Sequence, residues 1–489
     1  MRTCRRLGSC IAHCPLITVF FLALSVRLVN IALLKGDSSF FAETDALGYW
    51  ALGATLAKGD TFWPTLLQLT DRMPLYPLLL AAVQSTFGDA PRVVALIQAA
   101  IDAGTCGLIG ALGTLVSPLV GFIAGVLAAF SVTLIVTSSQ ILTETLFLFF
   151  FTLMLLLAAR FILCPTKSHA MLAGLAGGVA LATRPAVALM LIAAVPLVFV
   201  VAFMRRGIVQ ALVASGLFVL AAAGPIAPVL ARNVIYYDSW NLTSQAAEHL
   251  ALWIVPLVQQ RADGTPYHIT VERIDNLYHQ RLAERGLSSE TNPFRRAAVR
   301  SEVAREEMAR LPVSAYVEAW LEGMLVNLTA PALLVDPRVR ALPKPSLYNT
   351  PGVTLWEKTR AYVFEHLSLY QVLLLVGLAS MLPFLVLEVI GFIMLARALP
   401  WAAVLGGGVL AYFLLINGPI AAPKYRLPME PVLIVLCAIP LAAWFHANQS
   451  AAQVDRPRGA SGNVRRYAAA ARVGPRLCSP IAGRGSLDT

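Results

Sequence analysis

Residues 141–163 read ILTETLFLFFFTLMLLLAARFIL, a segment of 23 residues with no charge between Glu144 and Arg160. An apolar helix of this length, rising 1.5 Å per residue, matches the roughly 30 Å hydrocarbon core of a bilayer. Comparable apolar segments recur at 15–34, 74–88, 92–115, 117–137, 169–184, 186–204, 208–231, 369–396, 400–418 and 427–446. The pattern predicts an all-α, polytopic membrane protein.

The composition of the 489 residues excludes most other classes. Hydrophobic residues make up 58% of the chain, charged residues only 13%, and the mean hydropathy is +0.70. A soluble domain carries about 25% charged residues, so a soluble or a disordered protein is excluded. The cysteines form no C-x-x-C pair, and none lies between 232 and 368, so neither a zinc site nor a disulfide is predicted in that segment.

The segment 74–88 decides the predicted topology. It contains Pro74 and Pro77, and its 15 residues give about 22 Å of helix, too short to cross. If it does not cross, one face of the membrane holds 15 basic residues and two acids, and the rest of the chain holds 23 basic and 25 acidic residues. Such an asymmetry marks the cytoplasmic face. We therefore expect ten spans, both termini in the cytoplasm and 74–88 as a half-embedded outer helix.

The hydrophilic stretches divide the chain. Residues 1–231 form an N-terminal transmembrane module whose first outer loop is 35–91, and 232–368 form a mostly helical outer segment. Residues 369–446 hold the last spans, and 447–489 form a basic tail predicted to be disordered. No A-x-A cleavage site follows the first apolar run, which predicts an uncleaved span. The net charge of +11 then reflects topology, and no nucleic-acid partner is expected.

Ionisable residues beside apolar segments are costly and often functional. Asp45 opens an amphipathic stretch after the first span, and Glu144 opens the fourth span from the outer side. Each carboxylate could equally serve only to cap its helix. Arg72, which precedes Met-Pro-Leu-Tyr-Pro, is placed either to anchor at the interface or to hold a phosphate. Lys424 and Arg426 lie on the predicted outer face and so oppose the positive-inside rule. Their presence there would be explained by a lipid phosphate that they bind, or by salt bridges to Asp45 or Glu144.

Further residues of the outer face are candidates for a substrate pocket: Tyr49, Tyr76, Arg184, Arg232 and His249. Within the spans, Arg27, Asp102 and Glu388 support an alternative function. They could line the path of a transporter or of a lipid-linked-sugar flippase, with the outer charges as gating pairs. The small number of intramembrane acids and the long outer segment favour an enzyme.

Several motifs follow one another along the predicted outer face: D-x-x-x-Y at 45–49, ATLAKG at 54–59, R-x-P-x-Y-P-L at 72–78, T-E-x-L-F-x-F-F at 143–150 and KYRLPMEP at 424–431. In this order they resemble glycosyltransferase family 39 and its relatives. These are the protein O-mannosyltransferase and lipid A aminoarabinose transferase branch of the GT-C membrane glycosyltransferases. The resemblance covers about 15–235 and 400–440, and the segment 240–368 resembles nothing known to us.

The resemblance implies a GT-C-like fold and a hexosyl- or pentosyltransferase that uses a polyprenyl-phosphate sugar donor. The acceptor would be lipid A, a glycan or a protein on the non-cytoplasmic face, in bacteria the periplasmic side of the inner membrane. Asp45 is not followed by Glu, unlike the Asp-Glu pair of the protein mannosyltransferases, which argues against protein mannosylation.

The resemblance also implies roles for single residues. Asp45 would be the general base or would hold the acceptor, and Glu144 would orient the acceptor. Arg72, Lys424 and Arg426 would bind the donor phosphate. A divalent cation is left open, although Asp45 and Glu144 alone make a poor cation site.

Overall fold

The computed structural model describes residues 15–41, 44–343, 360–362, 364 and 367–454. These residues form helices and turns and no β-strand, which confirms the predicted all-α class. The helices of the first half are α1 (Pro15–Leu33), α2 (Thr44–Ala57), α3 (Phe62–Gln68), α4 (Leu75–Phe87), α5 (Pro91–Thr114), α6 (Pro118–Phe130), α7 (Val132–Ser138), α8 (Glu144–Leu163), α9 (Lys167–Thr183), α10 (Ala188–Arg206), α11 (Ile208–Ala223) and α12 (Ala227–Tyr237). The second half contains α13 (Ala246–His249), α14 (Val255–Asp263), α15 (Tyr267–Glu284), α16 (Pro293–Ala309), α17 (Val313–Thr329), α18 (Pro337–Arg340), α19 (Leu369–Ala398), α20 (Pro400–Asn417) and α21 (Glu430–Val454).

The chain is an integral membrane protein with eight described helices long and apolar enough to cross a bilayer. They are Pro15–Leu33, Pro91–Thr114, Glu144–Leu163, Pro185–Arg206, Ile208–Tyr237, Leu369–Ala398, Pro400–Asn417 and Pro423–Asn448. The pair α6 and α7, bent by 51°, makes a ninth if it is one span. The remaining predicted span, 169–184, corresponds to α9, whose 17 residues give about 25 Å of helix, and it is not among the described helices long and apolar enough to cross.

The helix α9 packs against α8 and α11 through small residues. A side chain at Gly174 or Gly178 would collide with the backbone of α11 at Phe218 or Ala222, so glycine permits this close approach. This packing brings the C-terminal end of α9 to the N-terminal end of α8. Two polar helix ends therefore meet on the side of the first outer loop.

The segment 74–88 forms α4, a helix of 13 residues. At about 20 Å it is too short to span, in agreement with the prediction that 74–88 does not cross. The helix packs along α2, so that the two helices of the first outer loop form one unit.

The bend between α6 and α7 is stabilised by Arg27. This residue is fully buried, and its Nη2 donates to the carbonyl of Ala128 at 3.1 Å while Nη1 donates to the carbonyl of Ala129. Both carbonyls lie in the last turn of α6, where helix carbonyls need partners from outside the helix, and that of Ala128 also accepts from the backbone N–H of Ser131 at 3.3 Å. The Nε of Arg27 lies 2.7 Å from Oδ2 of Asp102, which neutralises the buried guanidinium. Arg27 and Asp102, which were candidates for a transport path, thus form a buried salt bridge that stabilises the fold.

The outer segment is attached to the first outer loop by Arg232 and Tyr237. Arg232 donates through Nη1 to the carbonyl of Leu66 at 2.9 Å, and the hydroxyl of Tyr237 donates to the carbonyl of Leu67 at 3.0 Å. Both acceptors lie in the last turn of α3, whose carbonyls need partners from outside the helix. Predictions for residues 1–14, 344–359 and the tail from 455 onward lie outside the described residues.

Candidate active site

Asp45 and Lys424 form one pair of the candidate site. Asp45 lies in the first turn of α2, and Lys424 lies in the short turn between α20 and α21. Nζ of Lys424 is 3.5 Å from Oδ2 of Asp45, and the Asp45 side chain is 54% exposed. The salt bridge that the sequence left open is therefore present. A long, half-exposed ion pair is weak, so either partner can exchange it for a ligand.

Glu144 and Arg184 form a second, buried pair. Glu144 opens α8, and Arg184 follows the last residue of α9. Nη1 of Arg184 donates to Oε1 of Glu144, and Thr143 donates through Oγ1 to Oε2 at 3.2 Å. The Glu144 side chain is 5% exposed. Because both carboxylate oxygens accept hydrogen bonds, Glu144 is held in one orientation beside the Asp45 pair.

Arg72 is held over an aromatic ring. Its Cζ lies 4.3 Å from the centroid of the Tyr49 ring, which packs edge to face on Tyr76 at 5.5 Å. A Cβ at Gly48 would lie 3.0 Å from Nη1 of Arg72, so glycine leaves room for the guanidinium against α2. Burial raises the pKa of Tyr49 to about 12. Its phenol thus stays protonated and serves as a platform rather than as a base.

Gln98 connects the two halves of the site, and the sequence analysis did not identify it. It is fully buried in α5 and accepts a hydrogen bond from the Tyr76 hydroxyl at 2.8 Å. Its Nε2 donates to the carbonyls of Ser138 at 3.0 Å and Gln140 at 2.6 Å. These carbonyls precede Glu144 in the turn between α7 and α8. A lone amide in an apolar helix was the available signal, but its partners lie too far away in the sequence to be identified from it.

His249 lies close enough to feel the charges of this cluster. Burial is the largest cause that lowers the pKa of His249, followed by the positive charges of Arg184 and Lys424. The negative charge of Asp45 raises the pKa of His249. The imidazole is therefore neutral near pH 7 and adds no charge to the site.

Arg426, predicted to bind phosphate, is placed elsewhere by the structure. Its Nε donates to Glu430 at 2.8 Å, its Nη2 to Glu388 at 2.7 Å and its Nη1 to the carbonyl of Leu328. This buried triad lines a cavity of about 360 Å³ beside the bend of α6 and α7. Two carboxylates thus already neutralise the guanidinium of Arg426. Its three donor nitrogens are engaged by protein partners, which argues against the predicted role in phosphate binding.

Arg232 likewise forms a contact between segments, through the carbonyl of Leu66, and its guanidinium also donates to Oδ1 of the neighbouring Asn233 at 2.9 and 2.7 Å. The remaining candidate residues come together: Asp45, Tyr49, Arg72, Tyr76, Glu144, Arg184, His249 and Lys424. Among them are three cations, and each lies beside a carboxylate: Arg72 beside Asp71, Arg184 beside Glu144 and Lys424 beside Asp45. The pairs of Arg72 and Lys424 are long and partly exposed, and weak pairs of this kind can be exchanged for an anionic ligand.

The carboxylates of the cluster do not fit a divalent cation. Asp45 and Glu144 are each paired with a basic residue, and no three His, Cys, Asp or Glu side chains converge anywhere among the described residues. A Ca²⁺ or Mg²⁺ site needs several oxygen ligands that are free of competing cations. We derive no catalytic step through a metal.

Comparisons with known proteins give only distant similarity. No family model and no curated protein matches the chain. Among solved structures, it is similar to ArnT from Cupriavidus metallidurans bound to undecaprenyl phosphate, with a TM-score of 0.34 and 14% identity over 90% of this chain and 81% of that one. The apo structure of the same protein has a TM-score of 0.32 and 14% identity, over 94% and 82%. At this level of similarity the chain is assigned to no family.

Proposed function

We propose that the chain is a membrane glycosyltransferase that uses a polyprenyl-phosphate sugar donor and a hydroxyl acceptor at the outer face. The observation that carries the proposal is the pair of Asp45 and Lys424, a half-exposed carboxylate next to a cation. Such a pair places a base and a phosphate-binding cation close enough for one bound substrate to contact both. The motif resemblance along 45–150 and 424–431 supports the same chemistry.

In the proposed reaction, the acceptor oxygen forms a bond to the anomeric carbon of the sugar, which inverts. The bond between that carbon and the phosphate oxygen breaks, and its electron pair leaves with the phosphate. The acceptor proton passes to the carboxylate of Asp45. The leaving polyprenyl phosphate gains one negative charge, which Lys424, Arg72 and Arg184 would stabilise.

Glu144 would not itself react in this scheme. Both of its oxygens are engaged, one by Arg184 and one by Thr143. Its role would be to fix the Arg184 guanidinium, whose other donors would bind the phosphate. Glu144 thus becomes a positioning residue, and Asp45 stays the candidate base.

The alternative function, transport or flipping of a lipid-linked sugar, would use intramembrane charges along a path. Among the described residues, Arg27 forms a salt bridge with Asp102, and Glu388 forms one with Arg426. No observation on these residues favours transport over transfer.

The test uses the full chain in proteoliposomes with a mixture of polyprenyl-phosphate sugars and an envelope extract as acceptor. Mass spectrometry follows the release of polyprenyl phosphate and the appearance of glycosylated products. We expect Asp45→Asn to lower the release rate about 100-fold or more, the range for loss of a general base. Asp60→Asn is the matched control, since Asp60 is an exposed acid on the same loop.

Equal rates in the two variants would remove Asp45 from the site. Movement of intact donor across the bilayer without release of polyprenyl phosphate would instead establish the flippase function.

A further inference from the structure

The helix α17 in the outer segment exposes a row of large apolar residues. Four side chains spaced one turn apart are each between 52 and 77% exposed: Val313, Val317, Leu321 and Leu325. Residues at this spacing lie on one face of a helix. We call these four residues the apolar row. An exposed apolar surface of this kind marks a contact with something other than water.

The opposite face of α17 is packed against the protein. Its buried residues follow the same spacing: Ala315, Ala319, Gly323 and Asn327. Ala315 and Ala319 contact Val258 of α14. The apolar row therefore cannot turn inward without breaking this packing.

The apolar row lies next to the end of a membrane span. Trp320 of α17 donates through Nε1 to the carbonyl of Leu415 at 3.1 Å, in the last turn of α20. Leu415 is itself 59% exposed on a span, where the surroundings are lipid. Gly323 permits contact of the two backbones at Gly418. The exposed face of α17 thus continues the lipid-facing surface of α20.

Polar residues border the apolar row on one side. Glu318 is exposed, and Glu322 pairs with Arg261 of α14. A helix with one apolar face and one charged border lies in the plane of a bilayer surface rather than across it. In agreement, α17 is not among the described helices apolar enough to span.

The same helix holds the loop that carries Lys424. Asn327 donates through Nδ2 to the carbonyl of Ile420 at 3.0 Å and accepts from the backbone N–H of Ala422 at 3.1 Å. The position of α17 therefore constrains the position of this loop.

We propose that α17 is an interfacial helix whose apolar row enters the acyl boundary of the outer leaflet. The occupant of this surface is the lipid bilayer. The proposal rests on the packing of α17 against α20 and is independent of the enzymatic function proposed above.

The test places single cysteines at Val317, Leu321 and Glu318 in the full chain, labels them with bimane and reconstitutes the protein in phosphatidylcholine vesicles. Brominated phosphatidylcholine quenches from the lipid, and iodide quenches from water. The unsubstituted protein, treated alike, gives the background from native cysteines. We expect lipid quenching at Val317 and Leu321 to exceed that at Glu318 by about twofold, with the reverse order for iodide.

Equal quenching at the three positions, or stronger iodide quenching at Val317 and Leu321, would overturn the proposal. A second outcome would also overturn it: disulfide crosslinking between Val317→Cys copies together with low lipid quenching would assign the row to a second copy of the chain. Neither outcome depends on transferase activity, so the two proposals fail separately.

Discussion

The ammonium of Lys424 lies 3.5 Å from a carboxylate oxygen of Asp45, across 379 residues of sequence. The pair joins the first outer loop to the last one and lies beside the buried pair of Glu144 and Arg184. Because it is partly exposed to water, its own contribution to stability is small. Its importance is therefore better measured by ligand binding than by unfolding.

Replacing Lys424 by Met should weaken the binding of polyprenyl phosphate about tenfold, since a charge-assisted contact to phosphate is lost. The difference from the unsubstituted protein should shrink as salt is raised, because salt screens the attraction. Titration followed by tryptophan fluorescence measures both. Lys58→Met is the control, as Lys58 is an exposed lysine of the same outer region. An equal loss of affinity in both variants would mean that any basic residue of this region attracts the phosphate and that Lys424 has no specific role.

Replacing Gly48 by Ala should displace Arg72 from the Tyr49 ring, since the new methyl would lie 3.0 Å from Nη1 of Arg72. The contacted atom ends a flexible side chain, so the change in unfolding free energy should stay below about 1 kcal/mol. We expect several-fold weaker binding of polyprenyl phosphate with little change in Tm. The control is Gly59→Ala, where no atom lies within 4 Å. Unchanged binding in Gly48→Ala would remove Arg72 from the proposed ligands.

Replacing Glu144 by Gln should destabilise the protein, because it leaves the Arg184 guanidinium without its counter-charge. Breaking a buried ion pair costs about 3–5 kcal/mol, and the partial exposure of Arg184 places this one at the lower end. The double variant Glu144→Gln with Arg184→Gln should recover part of the loss. Thermal unfolding followed by a thiol-reactive dye measures it, since Cys106 and Cys437 are buried. Strictly additive losses would show that the two side chains are not coupled.

His249 predicts a pH dependence of stability. Its pKa is lowered from the ordinary value of 6.5, mainly by burial and then by Arg184 and Lys424, so the unfolded chain binds a proton before the folded protein does. The contribution of the neutral His249 to the free energy of unfolding is fully present above about pH 6.5 and is lost as the pH falls below that value. His249→Gln should flatten this part of a Tm-against-pH curve, whereas His268→Gln, at an exposed histidine, should not. Parallel curves for all three proteins would refute the assignment.

The sequence predicted the helical spans and the site residues that sidedness could bring together. Asp45 and Lys424 were both expected on the outer face, and Lys424 stood out because a basic residue on that face opposes the positive-inside rule. Hydropathy could not show the bend after α6, since the segment 117–137 contains no charged residue and reads as one mostly apolar run. The bend depends on Ser131, which caps α7, and on a distant arginine.

Two arginines were assigned to the site, Arg426 from its sidedness and the motif resemblance and Arg232 from its position in the sequence, and the structure gives them other partners. Arg426 is only two residues from Lys424, yet the intervening turn directs its guanidinium to Glu388 and Glu430. Arg232 binds the end of α3, which follows from helix-end chemistry rather than from charge. Partners so distant in sequence cannot be identified from local patterns. Gln98 was missed for the same reason, since its partners lie 22 to 42 residues away.

The position of Arg27 has a consequence for the biosynthesis of the protein. A cation in a membrane segment raises the free energy of insertion by up to about 3 kcal/mol. Its counter-ion Asp102 follows 75 residues later, and the carbonyls of α6 emerge later still. The first helix therefore enters the bilayer before its charge is compensated. We expect it to stay beside the translocon until α5 and α6 arrive, so that these three helices leave it as one assembled unit.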